Sequence, residues 1–468
     1  MILKPYYLAC LSHASYLVGD ERTKTAVIVD PQRDVEQYLA DARALGLTIR
    51  HVFLTHFHAD FVAGHLELAR ATGATIHLGA RAHADYAFVP MREGATLELG
   101  DVRIGVLETP GHTPEGISIL VYDLARDRER PHAVLTGDTL FIGDVGRPDL
   151  MASVGVSAQE LASALYDSLH AKLMKLPDAT LVYPAHGAGS ACGKNLSSET
   201  VSTIGAQRAT NLMLQPMSKA QFVALATADQ PAAPAYFGYD ATLNRQQRAT
   251  LDETLERALV PLDLDDVLRL QREGAVVLDV RDAAEWEPAH LAGSLNIGLG
   301  GKFANWAGIL IAPTQPIVLV ANVLREQEAA MRLGRIGFDR VVGFLRGGPA
   351  AWRARPELVK RVERVDAAAL RERIASGERE VVLDVRAPGE WREFRIDGSL
   401  NIPLPELERR IAEVPRGKRI ALHCLSGYRS SAAAGILERH GFTDVTDLVG
   451  GITAWRSGGQ PVSSGAAR

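Results

Sequence analysis

Two histidines and an aspartate at alternate positions, His56, His58 and Asp60, stand where an apolar run at 50–54 gives way to a turn. Side chains alternate along a strand, but a turning backbone can bring several to one point. Imidazole nitrogen and carboxylate oxygen together suit zinc or non-haem iron. Three further candidates follow the same plan of an apolar run, then small or turn-forming residues. His112 lies in Thr109-Pro110-Gly111-His112-Thr113, Asp138 in Thr136-Gly137-Asp138, and His186 in Tyr183-Pro184-Ala185-His186-Gly187. A second chemistry is written at Cys424-Leu425-Ser426-Gly427-Tyr428-Arg429, between an apolar run at 418–423 and a helical pattern at 430–437. A cysteine there meets backbone N–H groups and the positive end of a helix dipole, which stabilise a thiolate or a persulfide anion. Gly427 permits the tight curl that turns successive amides inward.

The elements that must position these groups are legible as periodicity. Residues 26–30, 51–54, 75–78, 102–107, 117–122, 133–136 and 180–183 have the short apolar runs of strands, and 35–45 has helical spacing. Many strands with few long helices predict sheets layered under helices. From 205 to 259 the pattern is helical or irregular, with a strap at 227–234. Beyond it the chain repeats itself. Leu278-Asp279-Val280-Arg281 with Glu285-Trp286 returns as Leu383-Asp384-Val385-Arg386 with Glu390-Trp391. Gly347-Gly348 before Trp352 likewise returns as Gly450-Gly451 before Trp455. Two units of this size predict two small α/β domains joined by a linker at 358–365. Counting back equally from Phe338 and Phe442 puts Val320 opposite Cys424 and Arg325 opposite Arg429. The first repeat then has no nucleophile and is expected to be inactive.

Bulk properties narrow the class. The 468 residues, 47% hydrophobic and 23% charged, are ordinary for a globular chain of several domains. A net charge of −5 without a basic stripe argues against nucleic acid. No apolar run is long enough to span a bilayer, and the N-terminus lacks the pattern of a signal peptide. Three cysteines, Cys10, Cys192 and Cys424, make no disulfide framework, so a reducing cytoplasm is the expected location. A homo-oligomer is left open.

The ordered set H-x-H-x-D, G-H-T, G-D, P-A-H resembles the metallo-β-lactamase superfamily, which implies an αββα sandwich over residues 1–250. Phe61 departs from the H-x-H-x-D-H of dinuclear members. A second metal would have Asp60, Asp138 and His186 at best, so the pattern favours one. The stretch 136–150 resembles the persulfide dioxygenase branch, whose pattern implies one Fe(II), with zinc the alternative, on His56, His112 and Asp138. His58, Asp60 and His186 then orient ligands and water from behind. Arg147 is a candidate anchor for an anionic substrate or an ion-pair partner of Asp149. Cys192 is a candidate site-lining thiol or a small buried loop residue. The C-x-x-G-x-R loop and its repeat resemble the rhodanese family. This implies an inactive rhodanese-like domain at 260–357 and an active one at 364–468, with Cys424 as nucleophile and Arg429 beside it. The expected overall chemistry is oxidation of a small-molecule persulfide by O₂ to sulfite, with Cys424 moving sulfane sulfur to or from thiosulfate. A glyoxalase II-type zinc thioesterase and a non-catalytic persulfide carrier are the alternatives.

Overall fold

The computed structural model describes residues 1–150, 155–230, 233–376 and 380–465. Two compact units divide the chain: Met1–Thr254 together with Leu333–Phe338, and Leu255–Arg332 together with Asp339–Arg468.

The first unit is built on two six-stranded sheets. One holds, in spatial and chain order, β1 (Ile2–Leu8), β2 (His13–Asp20), β3 (Thr25–Val29), β4 (Thr48–Phe53), β5 (Thr75–Gly79) and β6 (Val89–Met91). The other holds β7 (Thr96–Glu98), β8 (Val102–Glu108), β9 (Ile117–Asp123), β10 (Ala133–Gly137), β11 (Leu181–Pro184) and β12 (Ser202–Thr203). Their facing surfaces interdigitate through Tyr16, Val18, Val27, Val29 and Phe53 on one side and Ile104, Val106, Ile119, Val121 and Leu135 on the other. The outer face of the second sheet buries Leu120, Val134 and Val182 against Leu165 and Leu169 of the helix Ala158–Ala171 and Phe222 of the helix Lys219–Thr227. Helices Glu36–Leu45 and His65–Thr72 pack on the first sheet. This is the expected αββα sandwich. The hairpin β1–β2 and the short strands β6 and β7 were not legible in the sequence, because their burial does not alternate cleanly. The expected strap at 227–234 falls partly on 231–232, outside the described residues.

In the second sheet β8 and β10 are both antiparallel to β9, and β11 is parallel to β10. The C-terminal ends of β8, β10 and β11 therefore share one edge, and His112, Asp138 and His186 follow those ends. This shared polarity brings groups far apart in sequence to one place.

The second unit carries the repeat as two five-stranded sheets of identical order. In the first, Pro261–Leu262, Val341–Leu345, Ile317–Val320, Val276–Asp279 and Leu295–Asn296 lie side by side. In the second, Glu363–Val365, Val445–Leu448, Arg419–His423, Glu380–Asp384 and Leu400–Asn401 do so. The residues expected to form a linker are instead structured. Val359–Lys360 pairs with His290–Leu291 of the first repeat, and Glu363–Val365 is an edge strand of the second.

Strand register also corrects the comparison of the two repeats. Asp279 faces Val320 across its sheet as Asp384 faces His423, so Val320 matches His423 and Ala321 matches Cys424. The Gly-Gly turns agree: a Cβ on Gly348 would strike Ala321 O, and one on Gly451 would strike Cys424 O. The first repeat is one residue short between Ala321 and Phe338, so counting from the phenylalanines slips by one. The left-handed residue after the strand is Leu324 in the first repeat and Gly427 in the second, which moves Arg325 to the position of Tyr428. Alanine, like valine, offers no nucleophile. Among the described residues no helix is long and apolar enough to cross a membrane.

Candidate metal centre and thiol loop

The loop after β4 carries His56, His58 and Asp60, and three residues that the sequence did not single out hold its shape. Asp30 accepts from Thr55 N–H at 2.7 Å and Thr55 Oγ1 at 2.8 Å. Glu115 accepts from Phe57 N–H at 3.0 Å. Asn244, fully buried, donates to His58 O and Phe61 O and accepts from Ala63 N–H, each at 2.8 Å. A single amide side chain thus staples both ends of the motif. Val62 N–H is taken up by Arg335 O at 2.7 Å, from the segment Leu333–Phe338. Asn244 lies in a stretch whose only sequence signal was irregularity, and nothing local marked it.

His56, His112 and Asp138 converge, with one donor atom from each within 4.8 Å of the others. His56 Nε2 and His112 Nε2 lie 3.8 and 3.5 Å from Asp138 Oδ2. The other ring nitrogens are occupied: His112 Nδ1 meets Arg147 O at 2.8 Å, and His56 Nδ1 meets Thr55 Oγ1 at 3.0 Å. With Nδ1 engaged, Nε2 of each ring is directed at the shared centre, as a metal-ligating histidine requires. Burial, then the neighbouring His58, pushes the His56 proton off. Burial alone would also protonate Asp138, but His186 and His56 hold its carboxyl well below the usual range. A neutral imidazole and an ionised carboxylate are the forms that bind a cation. The donor set therefore fits one divalent metal.

His58, Asp60 and His186 form a second group behind the first. His186 Nδ1 is 2.8 Å from Asp138 Oδ1, and its Nε2 is 2.9 Å from Asp60 Oδ2. Burial works against its charge, but the two carboxylates, Asp138 foremost, raise its pKa well above the ordinary value. An imidazolium clamped at both nitrogens has no lone pair for a metal. His58 Nε2 turns to Asp30 Oδ1 at 3.1 Å. Phe61 fills the remaining space, its ring centroid 4.0 Å from His13 and 4.3 Å from His58.

Arg147 donates to both oxygens of Asp149, at 2.8 and 2.6 Å, and to Ala191 O at 3.2 Å. Cys192 is buried beside Asp138 and His186. Burial, followed by the charges of Asp60 and Asp138, pushes its thiol up and keeps it protonated.

Gly146 decides how closely the 138–147 loop can fold under His112. A Cβ there would stand 1.8 Å from Asp138 O and 3.1 Å from His112 Cβ. Gly146→Ala is expected to push Asp138 and His112 apart, destabilise the unit by about 1–3 kcal/mol or more, and lower metal retained per chain. Urea denaturation and metal analysis on one preparation check both.

In the second repeat Cys424 is buried at the end of Arg419–His423, and the helix Tyr428–Arg439 starts four residues later. Gly427, at φ +104°, donates its N–H to Cys424 Sγ at 3.1 Å. Ile452 and Thr453 donate their N–H groups to Cys424 O and Leu425 O, so the Gly-Gly turn braces the loop. Leu425 is half exposed at the loop's tip, and Ser426 is exposed beside it. Tyr428 Oη donates to Gly298 O of the first repeat at 2.7 Å. Arg429 does not stand as a free charge: it donates to both oxygens of Glu390, at 2.7 and 2.8 Å. Burial would raise the pKa of Glu390, but Arg429 holds it below the ordinary value of 4.5. A carboxyl with a lowered folded pKa adds stability above its unfolded pKa and loses it as pH falls through the folded one. Glu390→Gln is therefore expected to cost about 0.5–1 kcal/mol at pH 7, with the gap to the parent closing below roughly pH 4.5. Denaturant titrations at pH 7 and pH 3.5 measure it.

Residues 8–186 match the family model of the metallo-beta-lactamase superfamily, and 263–355 and 366–458 each match that of the rhodanese-like domain. Among curated proteins, mitochondrial persulfide dioxygenase ETHE1 of Bos taurus is 30% identical over 202 residues, 42% of this chain and 69% of that protein. Hydroxyacylglutathione hydrolase of Rhodospirillum rubrum is 31% identical over 245 residues, 50% of this chain and 82% of that protein. The crystal structure of a metallo-beta-lactamase from Staphylococcus aureus subsp. aureus COL aligns with TM-score 0.66 and 30% identity, covering 73% of this chain and 98% of that one.

Proposed function

Because the chain belongs to the metallo-beta-lactamase superfamily and carries two rhodanese-like domains, we propose that it is an Fe(II) persulfide dioxygenase coupled to a sulfurtransferase. The observation that carries this reading is the His56–His112–Asp138 triad, with His186 clamped between Asp138 and Asp60. Two histidines and one carboxylate on one side of a centre leave other coordination positions open. Held by His56, His112 and Asp138, an Fe(II) ion would supply the activation of O₂ and of a persulfide sulfur.

The protein's own groups do the rest. His186 keeps Asp138 ionised and oriented, and the Nδ1 contacts of His56 and His112 fix the direction of their Nε2 atoms. Cys192 presents a neutral thiol to the same centre, which does not compete as an anionic ligand. The overall balance converts R–S–SH, O₂ and water to R–SH and sulfite. At the second site the Cys424 thiolate attacks a sulfane sulfur. The S–S bond of the donor breaks, the leaving group departs with the electron pair, and a Cys424 persulfide forms. Attack by sulfite on its terminal sulfur releases thiosulfate and restores the thiolate; the reverse run delivers sulfane sulfur from thiosulfate.

The resemblance to hydroxyacylglutathione hydrolase favours one second reading, thioester hydrolysis. Dioxygen uptake by anaerobically purified protein given glutathione persulfide, with iron and zinc measured in the same sample, decides between them. Uptake with sulfite formation that tracks one iron per chain is expected. Two zinc ions per chain with thioester cleavage and no uptake would make the protein a hydrolase.

A further inference from the structure

Behind the Cys424 loop lie three buried polar groups that the sulfur-transfer step does not use. Ser430 Oγ stands 3.8 Å from Cys424 Sγ. The Asp447 carboxyl lies against the Ser430 hydroxyl, and the Glu287 carboxyl lies against that of Asp447. Ser430 and Glu287 are 0% exposed and Asp447 is 2% exposed. Glu287 comes from the first repeat, just past the helix Ala283–Trp286. Arg364, which faces Asp447 across the sheet, sets its Nε 2.7 Å from Glu287 Oε2.

Two carboxyls in contact inside a protein cannot both be ionised. No donor among the described residues satisfies Asp447 Oδ1, so a proton held between the two acids is what completes the contact. Burial is the main cause that raises both groups; the Glu287 carboxyl adds to it in Asp447, whereas the contact with Asp447 lowers Glu287. Arg364, and more weakly His290, favour the charge on Glu287, while the nearby Cys424 sulfur disfavours a charge on Asp447. The shared proton therefore belongs on Asp447.

We propose that Glu287, supplied by the repeat without a thiol, is a positioning residue: it accepts the hydrogen bond of a neutral Asp447, whose other oxygen is then too weak an acceptor to hold the Ser430 hydroxyl, so that Ser430 donates to the sulfur of Cys424. An ionised Asp447 would instead draw the Ser430 hydroxyl towards itself and set a negative charge beside the thiolate or persulfide anion. The internal repeat supplies a control. Strand register and the Gly-Gly turns place Ala321, Gln327 and Phe344 where the second repeat has Cys424, Ser430 and Asp447. A buried acid at the Asp447 position is costly, and only the repeat that carries the thiol has one there, Phe344 standing in its place in the other. The first repeat lost its own chemistry yet completes that of its neighbour. This inference rests on Cys424 being the sulfur carrier, but its test does not.

The test is the rate of Cys424 alkylation by iodoacetamide at pH 7, followed by mass spectrometry of the Cys424 peptide in the full chain. Glu287→Gln releases Asp447 to ionise and is expected to slow alkylation about tenfold. Glu287→Gln/Asp447→Asn fixes a neutral group beside Ser430 and is expected to recover most of that rate. Equal rates in the parent and Glu287→Gln, or an equally slow double variant, would overturn the proposal, the latter by showing a merely structural role. If Glu287→Gln does not fold, the infrared carbonyl band of a protonated carboxyl replaces it. That band should be present in the parent at pH 7 and missing from Asp447→Asn, and its absence from the parent refutes the shared proton. Sulfur transfer from thiosulfate by the parent, assayed alongside, reports separately on whether Cys424 is a carrier at all.

Discussion

Asp138→Asn should empty the metal centre. Iron per chain is expected to fall from about one to less than a tenth, and dioxygen uptake to below about 1% of the parent. Asp138 is the one carboxylate in the converging triad, 3.8 and 3.5 Å from the two Nε2 atoms. It is also the partner that keeps His186 charged, at 2.8 Å from its Nδ1. Asparagine preserves the shape but removes the charge that attracts the cation, and leaves His186 between an amide and Asp60. His186→Asn, one step further out, is expected to be milder, about 10- to 100-fold in metal affinity. Metal analysis with an oxygen electrode measures both. A parent-like iron content in Asp138→Asn would remove Asp138 from the ligand set, and a loss from His186→Asn greater than from Asp138→Asn would place the metal in the other cluster.

Cys424→Ser is expected to abolish sulfur transfer, by about a thousandfold or more, because a serine hydroxyl stays protonated at neutral pH and cannot hold a sulfane sulfur. Iron content and dioxygen uptake should stay at the parent level, since His56, His112 and Asp138 all belong to the first unit. Transfer from thiosulfate to cyanide and oxygen uptake, measured on one preparation, separate the two activities. Ala321→Cys should not restore transfer to a Cys424→Ser background. The first repeat has Leu324, at φ +71° and 86% exposed, where the thiol loop has Gly427. Its Glu285 is engaged by Asn322, where Glu390 pairs with Arg429. A thiol at Ala321 would lack the cation, because Glu326 stands where the thiol loop has Arg429.

The residues that carry chemistry were legible because their types are rare in such an order. His56, His112, Asp138 and His186 each follow an apolar run and precede turn residues, and that pattern alone put them at strand ends. Sheets layered under helices followed from strand density, the αββα order from the family resemblance, and the duplicated domains from the returning Asp-x-Arg and Gly-Gly signals. Cys424 announced itself by its place between a strand and a helix. These are local facts, fixed by backbone periodicity and turn chemistry within about ten residues.

What tertiary structure decided is how those groups divide their work. By residue type alone His58 and His186 could be ligands, and the family resemblance implies a place behind the triad. The positions of Asp30, Asp60 and Asp138 show how: one turns away and the other is clamped at both nitrogens. Asn244 reaches the 56–63 loop across more than 180 residues with no local signal. Counting matched Cys424 with Val320, but hydrogen-bond register matches it with Ala321, because a one-residue deletion in a helical segment is invisible to counting and plain in a sheet. Glu287, next to Trp286, carries no signal in the sequence, yet the fold buries it against Asp447. Sequence fixes which atoms can react. Contacts across the fold set their charge, and charge depends on neighbours within a few ångströms wherever they lie along the chain.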